Sequence, residues 1–423
     1  MVGGSGDSPG RCRVVSVGRV SVRVMRILHT SDWHLGRTLH GVDLLGHQAE
    51  YLDHLVELVR AEGVGAVVVS GDVYDRAIPP VEAVQLLADA LARLSEHAAV
   101  VVTPGNHDSA IRLGFGATLM RPGVHLRARV ADVGRPVEVA AEGGPVLVYA
   151  LPYLDPDAVR RTLADDDAPD LGGDGLLPRS HEAVTAAAMR RVRADLAARA
   201  GGERPRSVVM AHAFVVGGEA SASERDIRVG GVDSVPAGVL RGVDYVALGH
   251  LHGPQRIGVE PDADGRAPVL QYSGSPLAYS FSEMHQRKAS VLVDLSGAEV
   301  GVELVPAPVP RRLAEVTGTL EDLLGAGGDA HVADWVRVVV TDPARPTELY
   351  ARVRERFPHA LAVEHRPVAA AERRTLAAVT AARDPLEVAA EFVEHVTGGR
   401  PSAEERAVLL RAYEDVLAAE RSA

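Results

Sequence analysis

Thiols, lysines and long apolar runs are nearly absent from this chain, and each absence narrows what it can be. One of its 423 residues is cysteine, Cys12. That excludes an internal disulfide framework, suits a reducing cytosol, and leaves His, Asp, Glu and Asn as the side chains available to a metal. No run approaches the roughly 18 consecutive apolar residues of a membrane-spanning helix, so no membrane partner is expected. Lysine occurs once, at Lys288, among 45 basic residues; GC-rich codon usage is the plain explanation. A net charge of −12 argues against a protein that coats DNA by bulk electrostatics. It leaves local contact open, because a patch or bound cations set the field in a cleft. Hydrophobic residues at 46% and charged residues at 24% describe a globular chain, and its length predicts two or three domains.

Residues 1–24 are rich in Gly, Ser, Arg and Val, and the stretch 14–24 is broken by Arg19 and Arg23, so it lacks the apolar centre of a signal peptide. Met25 stands immediately before a clean strand pattern, and residues 1–24 read as a disordered or artefactual extension. Over residues 25–290, Val-rich runs at 26–29, 66–70, 98–102, 146–150, 207–211 and 245–248 alternate with helical spacings at 50–62, 81–97 and 181–200. That alternation predicts a buried α/β sheet. Residues 165–175 read as an acidic, glycine-rich surface loop. Over residues 291–366, strands at 291–294, 336–340 and 361–365 and a helix at 347–357 predict a small α+β module. Residues 367–423 are helical, and the last helix carries Val408, Leu409, Tyr413 and Val416 on one face. That face either packs on its own domain or binds a partner.

Five polar clusters each follow a strand: Asp32-Trp33-His34, Gly71-Asp72-Val73-Tyr74-Asp75, Gly105-Asn106-His107-Asp108, His212, and Gly249-His250-Leu251-His252. A lone D-x-H or a lone histidine is usually a satisfied core or surface group. Five such clusters in succession are not a chance pattern, and in open α/β sheets ligands collect beyond the carboxyl ends of strands. Imidazoles mixed with hard oxygen donors, without thiolate, suit divalent transition ions better than magnesium alone. Two such ions roughly 3.5–4 Å apart can clamp the attacking and leaving oxygens of a phosphoester. Glycine lets the backbone turn tightly and aims the next side chain inward.

The order D-x-H, GDxxD, GNHD, a lone His and GHxH resembles the signature of calcineurin-like metallophosphoesterases. The wider text, including Leu28-His29-Thr30-Ser31-Asp32-Trp33-His34-Leu35-Gly36, His47-Gln48, Leu151-Pro152-Tyr153-Leu154 and Tyr272-Ser273-Gly274-Ser275-Pro276, is similar to the SbcD nuclease subunits of bacterial SbcCD complexes. The likeness runs from Met25 almost to the C-terminus. It implies an α/β metallophosphoesterase sandwich of mixed sheets flanked by helices, with a small α+β capping domain facing DNA and a helical C-terminal tail that docks an SbcC-like coiled-coil ATPase. It also implies two manganese ions, or magnesium. Asp32, His34 and His252 would hold one, Asn106, His212 and His250 the other, with Asp72 between them and a shared water as nucleophile. His107 would act on the scissile phosphate and Asp75 would orient it. Asp108 reads as a hydrogen-bond acceptor behind the site, with a metal ligand as the alternative, and His47 would contact substrate, support the site or simply start a helix.

The activity so implied is a manganese-dependent DNA exonuclease and endonuclease that works on ends and hairpins in repair, recombination and replication. It would be a homodimer within a heterotetramer in the cytoplasm. A phosphatase or cyclic-nucleotide phosphodiesterase on the same domain is the enzyme alternative. A scaffold with a decayed site would need a missing ligand, and none is missing. Two questions stay open at this level: whether Arg225 and Arg228 reach a DNA backbone or only solvate a loop, and whether Trp33 stacks on substrate or wedges the site loop.

Overall fold

Alternate residues of the Val-rich strands face opposite layers, and that alternation builds the fold. The structure is a computed structural model and describes residues 25–142, 144–165, 171–199, 204–224, 234–262, 264–367, 385–397 and 399–420. The expectations for residues 1–24, for Arg225 and Arg228, and for parts of the 165–175 loop and the tail lie outside these residues.

Five strands end at the site: β1 (Arg26–Thr30), β2 (Ala66–Ser70), β3 (Ala99–Thr103), β4 (Ser207–His212) and β5 (Tyr245–Gly249). β1, β2 and β3 run parallel in a six-stranded sheet, extended beyond β3 by Val124–Leu126. β4 and β5 run parallel in a second six-stranded sheet, flanked by Val146–Ala150 and Val269–Tyr272. Antiparallel pairs lie at both edges of the second sheet and on the β1 side of the first, so both sheets are mixed.

The two sheets pack face to face. Ile27, Val68, Val101, Val208, Met210, Tyr245 and Ala247 fill the layer between them. Their immediate neighbours Leu28, Val67, Val69, Val100 and Val102 point outward, beneath the helices Leu45–Glu62 and Val81–Leu94. Val209, Ala211, Val246 and Leu248 point outward in the second sheet, beneath the helix His181–Arg199. Strands covered on both faces have no polar side, which is why they read as unbroken valine runs.

One boundary differs from the expectation. The strand Ala289–Asp294 does not open the small α+β module. It lies antiparallel to β1 in the first sheet, and Gly301–Pro306 lies beside it. Val291 and Val293 are fully buried between the sheets. A strand pattern shows that a segment is extended; it does not show which edge it will join. The first unit therefore runs on to about Ala307, whose N–H donates to the Lys288 carbonyl (2.9 Å).

The module proper is a parallel three-stranded sheet of Leu313–Gly318, Trp335–Val340 and Ala360–His365. The helices Leu320–Leu324 and Leu349–Arg356 cover it around Val316, Val338, Val353 and Phe357. Trp335 joins Leu39, Leu44, Leu277 and Tyr279 in a small cluster that seats the module on the first unit beside the site. In the tail, the helices Pro385–Thr397 and Ala403–Glu420 leave Phe392, Val396, Val408 and Leu410 exposed. Among the described residues no helix is long and apolar enough to cross a membrane.

The sheet assignment has a direct test. A fragment of residues 25–290 leaves one edge of β1 unpaired and opens the inter-sheet layer, so it should be insoluble or uncooperative in urea. A fragment of residues 25–307 should unfold cooperatively. Equal behaviour of the two fragments would contradict the role given to Ala289–Asp294.

Candidate metal centre

The loops after β1 and β2 continue to pair beyond the strands. The N–H groups of Asp32, His34 and Leu35 donate to the carbonyls of Gly71, Asp72 and Val73 at 2.9–3.1 Å. This zipped pair of loops holds Asp32, His34 and Asp72 in the left-handed region, at φ of 54°, 45° and 48°. Each such residue costs on the order of 1–2 kcal/mol, which the surrounding pairing must offset. The ends of the two sheets meet here as well: His212 Nδ1 lies 2.9 Å from the Ser70 carbonyl oxygen.

Two motif glycines are required by proximity. A Cβ on Gly105 would stand 2.2 Å from Asp72 Oδ1, and one on Gly249 would stand 1.9 Å from the Ser70 carbonyl oxygen. Neither has a positive φ, so the need is for space and not for the tight turn that the sequence suggests.

The structure brings Asp32, His34, Asp72, Asn106, His107, His212, His250 and His252 to one point. Asp72 Oδ2 is central, at 3.4 Å from His212 Nε2, 3.6 Å from His34 Nε2 and 4.0 Å from His107 Nε2. Its Oδ1 accepts the His107 N–H (2.8 Å). Asn106 Oδ1 lies 2.9 Å from His212 Nε2 and 3.2 Å from His250 Nδ1. His34 Nε2 and His252 Nε2 are 3.2 Å apart. Three groups have ligand atoms mutually within 4.8 Å: Asp32, His34 and His252; His34, Asp72 and His107; Asp32, Asp72 and His212.

The other expected residues fall nearby in different ways. Asp108 accepts the N–H groups of Val73, Tyr74 and Gly105 at 2.9–3.0 Å and so ties the loop after β2 to the loop after β3. Asp75 departs from its expected part. His107 Nδ1 lies 2.7 Å from the Asp75 backbone carbonyl, while the Asp75 carboxylate accepts from Arg37 (3.2 Å) and faces His34 (3.7 Å). The cation beside it draws the carboxylate away, and the carbonyl is left to orient the imidazole. His47 packs edge-on to Trp335 at 5.3 Å.

Its neighbour Gln48 braces the site loop, donating to the Trp33 and His34 carbonyls and accepting the Gly36 N–H. Trp33 is 1% exposed and donates to Thr30 Oγ1 (2.8 Å), so it wedges the loop and is not available to stack on a base. Sequence reasoning passed over Gln48, Ser223, Tyr279, Glu283 and Lys288. Tyr279 donates to the Trp33 carbonyl (2.6 Å), and Ser223, Glu283 and Lys288 stand behind His252. The signals for them were the place of Gln48 in the His47-Gln48 pair and the fact that Lys288 is the single lysine.

The electrostatics call for cations. Burial pushes Asp32 up to about 6. It holds His34 well below the usual imidazole range, and burial with the nearby His212 charge brings His250 down to about 3. Burial also opposes ionisation of Asp72 and His212, yet each overcomes it through the other. Asp72 is held well below the usual carboxylate range, and His212 is raised to about 9. Buried imidazoles that favour neutrality aim lone pairs at each other and at carboxylates, and only added positive charge satisfies them together. The oxygen and imidazole donors fit divalent transition ions.

Comparison with known proteins follows the same line. A family profile described as calcineurin-like phosphoesterase matches residues 25–254, and one described as a type 5 capsule protein repressor C-terminal domain matches residues 309–397. The SbcD component of the nuclease SbcCD from Bacillus subtilis (strain 168) is 38% identical over 280 residues, covering 65% of this chain and 67% of its own length. A Thermus thermophilus protein of solved structure shares 16% identity at a TM-score of 0.36, over 67% of this chain and 99% of its own. A dimetal phosphatase from Danio rerio shares 15% at 0.41, over 67% and 96%.

Metal-free protein should show the His212–Asp72 pairing in its pH dependence. A histidine raised from 6.5 to about 9 contributes stability fully below pH 6.5 and loses it as pH rises through about 9. In EDTA the urea midpoint should therefore fall across that window, and His212→Asn should flatten the fall. A flat wild-type profile would count against a charged His212.

Proposed function

The chain belongs to the calcineurin-like phosphoesterase family, and from that premise we propose that it is the nuclease subunit of a DNA-end-processing complex, cutting phosphodiester bonds with two manganese ions. It is a metal-dependent phosphodiester hydrolase by family and by fold. The observation that carries the finer reading is the gathering of six donor residues around Asp72 with His107 at their edge.

Asp32, His34 and His252 would hold one ion, Asn106, His212 and His250 the other, and Asp72 would lie between them. When bound, the ions supply charge that polarises the phosphoester and makes water a stronger nucleophile. His107 Nδ1 donates its proton to the Asp75 carbonyl, so its Nε2, turned toward Asp72, is the atom that exchanges protons, and with both ring nitrogens protonated it would pass the Nε2 proton to the leaving oxygen. A pocket of about 470 Å³ opens beside it, lined by Arg37, Thr38, Asp75, Arg76, Ala77 and His107. Arg37 lies over the Tyr279 ring at 4.9 Å and is braced by Asp75. Two guanidiniums at the mouth of the site suit the phosphates that flank a scissile bond. They give an acidic chain a local positive field.

DNA is the substrate favoured by the likeness to the Bacillus subtilis nuclease component and by the extra module and tail, which a small-substrate phosphatase does not need. The exposed apolar residues Phe392, Val396, Val408 and Leu410 favour docking of an SbcC-like coiled-coil ATPase on the tail. Ile78, Val81, Ile111, Phe115 and Leu119 form a second exposed apolar group, its two segments tied by Arg112 to the Ala77 carbonyl (3.0 Å). They favour a homodimer within a heterotetramer. A cytoplasmic setting suits a DNA enzyme with one cysteine.

His107→Ala should lower manganese-dependent cleavage of linear duplex DNA by about 10²–10⁴-fold while manganese binding stays near wild type. Loss of both metals in that variant would overturn the role given to the imidazole, and turnover of only a small phosphodiester by the wild type would favour the phosphatase reading. Deleting residues 380–423 should abolish capture by the ATPase and spare cleavage by the isolated chain. Retained capture would move the docking surface elsewhere.

A further inference from the structure

Behind His252 lies a buried ion pair that the chemistry above does not use. Lys288 is 4% exposed and Glu283 is 1% exposed. The Lys288 ammonium donates to Glu283 Oε2 (2.5 Å), Gln286 Oε1 (2.7 Å), Ser275 Oγ (2.9 Å) and the His252 carbonyl (2.9 Å). Glu283 Oε1 faces His252 Nδ1 at 3.3 Å. Ser223 Oγ lies 2.7 Å from the same nitrogen and donates its proton to Glu283 Oε1.

These contacts leave one consistent arrangement of protons. An ionised carboxylate only accepts, and a serine hydroxyl that donates to it can offer only a lone pair to the imidazole. His252 therefore carries its proton on Nδ1 and presents the bare Nε2 toward His34 and the site. The carboxylate can stay ionised there because the Lys288 ammonium pairs with it directly and Ser223 donates to its other oxygen. The same ammonium grips the His252 carbonyl, so it fixes both the backbone and the ring of one residue.

We propose that Lys288 is a positioning residue for the metal centre, acting through Glu283 to fix the tautomer and aim of His252, and that arginine cannot take its place. A compact ammonium can share three N–H bonds among four converging acceptors, whereas a planar guanidinium spreads its donors over a fork and needs more room. Composition points the same way: every other basic residue among the 45 is arginine, and the exception falls in this enclosed, four-acceptor site. The inference rests on the metal-centre reading given above.

The test uses the full chain and manganese alone. Lys288→Arg should bind one manganese equivalent about 10–100-fold more weakly by calorimetry, the usual effect of losing an outer-shell partner. Nitrogen-15 spectra of His252 in metal-free protein should change from a single Nδ1–H form to a mixture. Because Lys288→Arg can fail to fold, the paired variant Lys288→Met with Glu283→Gln removes both charges together and should keep the EDTA unfolding midpoint near wild type while losing the same affinity. Wild-type affinity and an unchanged His252 spectrum in either folded variant would overturn the proposal. Absence of manganese binding by the wild type would overturn the metal centre itself, which separates the two failures.

Discussion

The organising constraint of this molecule is the crowding of lone pairs around Asp72. Carboxylate, amide and imidazole acceptors stand 2.9–4.0 Å apart in a place where burial disfavours charge on His34 and His250. Such a cluster repels itself, so the fold has to hold it together until positive charge arrives. In the protein alone, the proton shared between Asp72 and His212 is the available substitute for a cation.

The holding is done by backbone groups, paired with one another and with side chains. The loops after β1 and β2 pair with each other, Asp108 binds the loops after β2 and β3 together, and His212 reaches across to the end of β2. Behind them, two sheets pressed face to face and covered on their outer faces give the ends of the strands little freedom to move. The left-handed backbone at Asp32, His34 and Asp72 is the strain stored by this arrangement. Such strain persists where surrounding structure over-determines it, and it gathers at working sites.

What was legible in the sequence is what is local in the chain. The valine runs announced strands covered on both faces, and the short motifs announced ligands because each packs several polar residues next to a strand end. What was not legible depends on where distant segments meet. Ala289–Asp294 was readable as a strand, yet its pairing with β1 is decided by the edge that β1 leaves open. Asp75 was found by its spacing from Asp72, but Arg37, from another loop, decides which of its oxygens serves His107. Glu283 and Lys288 lie in an irregular segment with no periodicity, and only their burial beside His252 gives them meaning.

The position of β1 also has a consequence in time. It carries Asp32 and His34 out to the site, and it lies between β2 and Ala289–Asp294. During synthesis its first neighbour follows within about 40 residues, whereas the second emerges more than about 260 residues later, which at ribosomal speed is roughly 10–50 s. For that interval one edge of the ligand-bearing strand is open, and pairing with another nascent chain competes with the native ladder. Among the first described segments to be made, β1 is one of the last to be enclosed, and its edge stays open to such pairing until residue 294 leaves the ribosome.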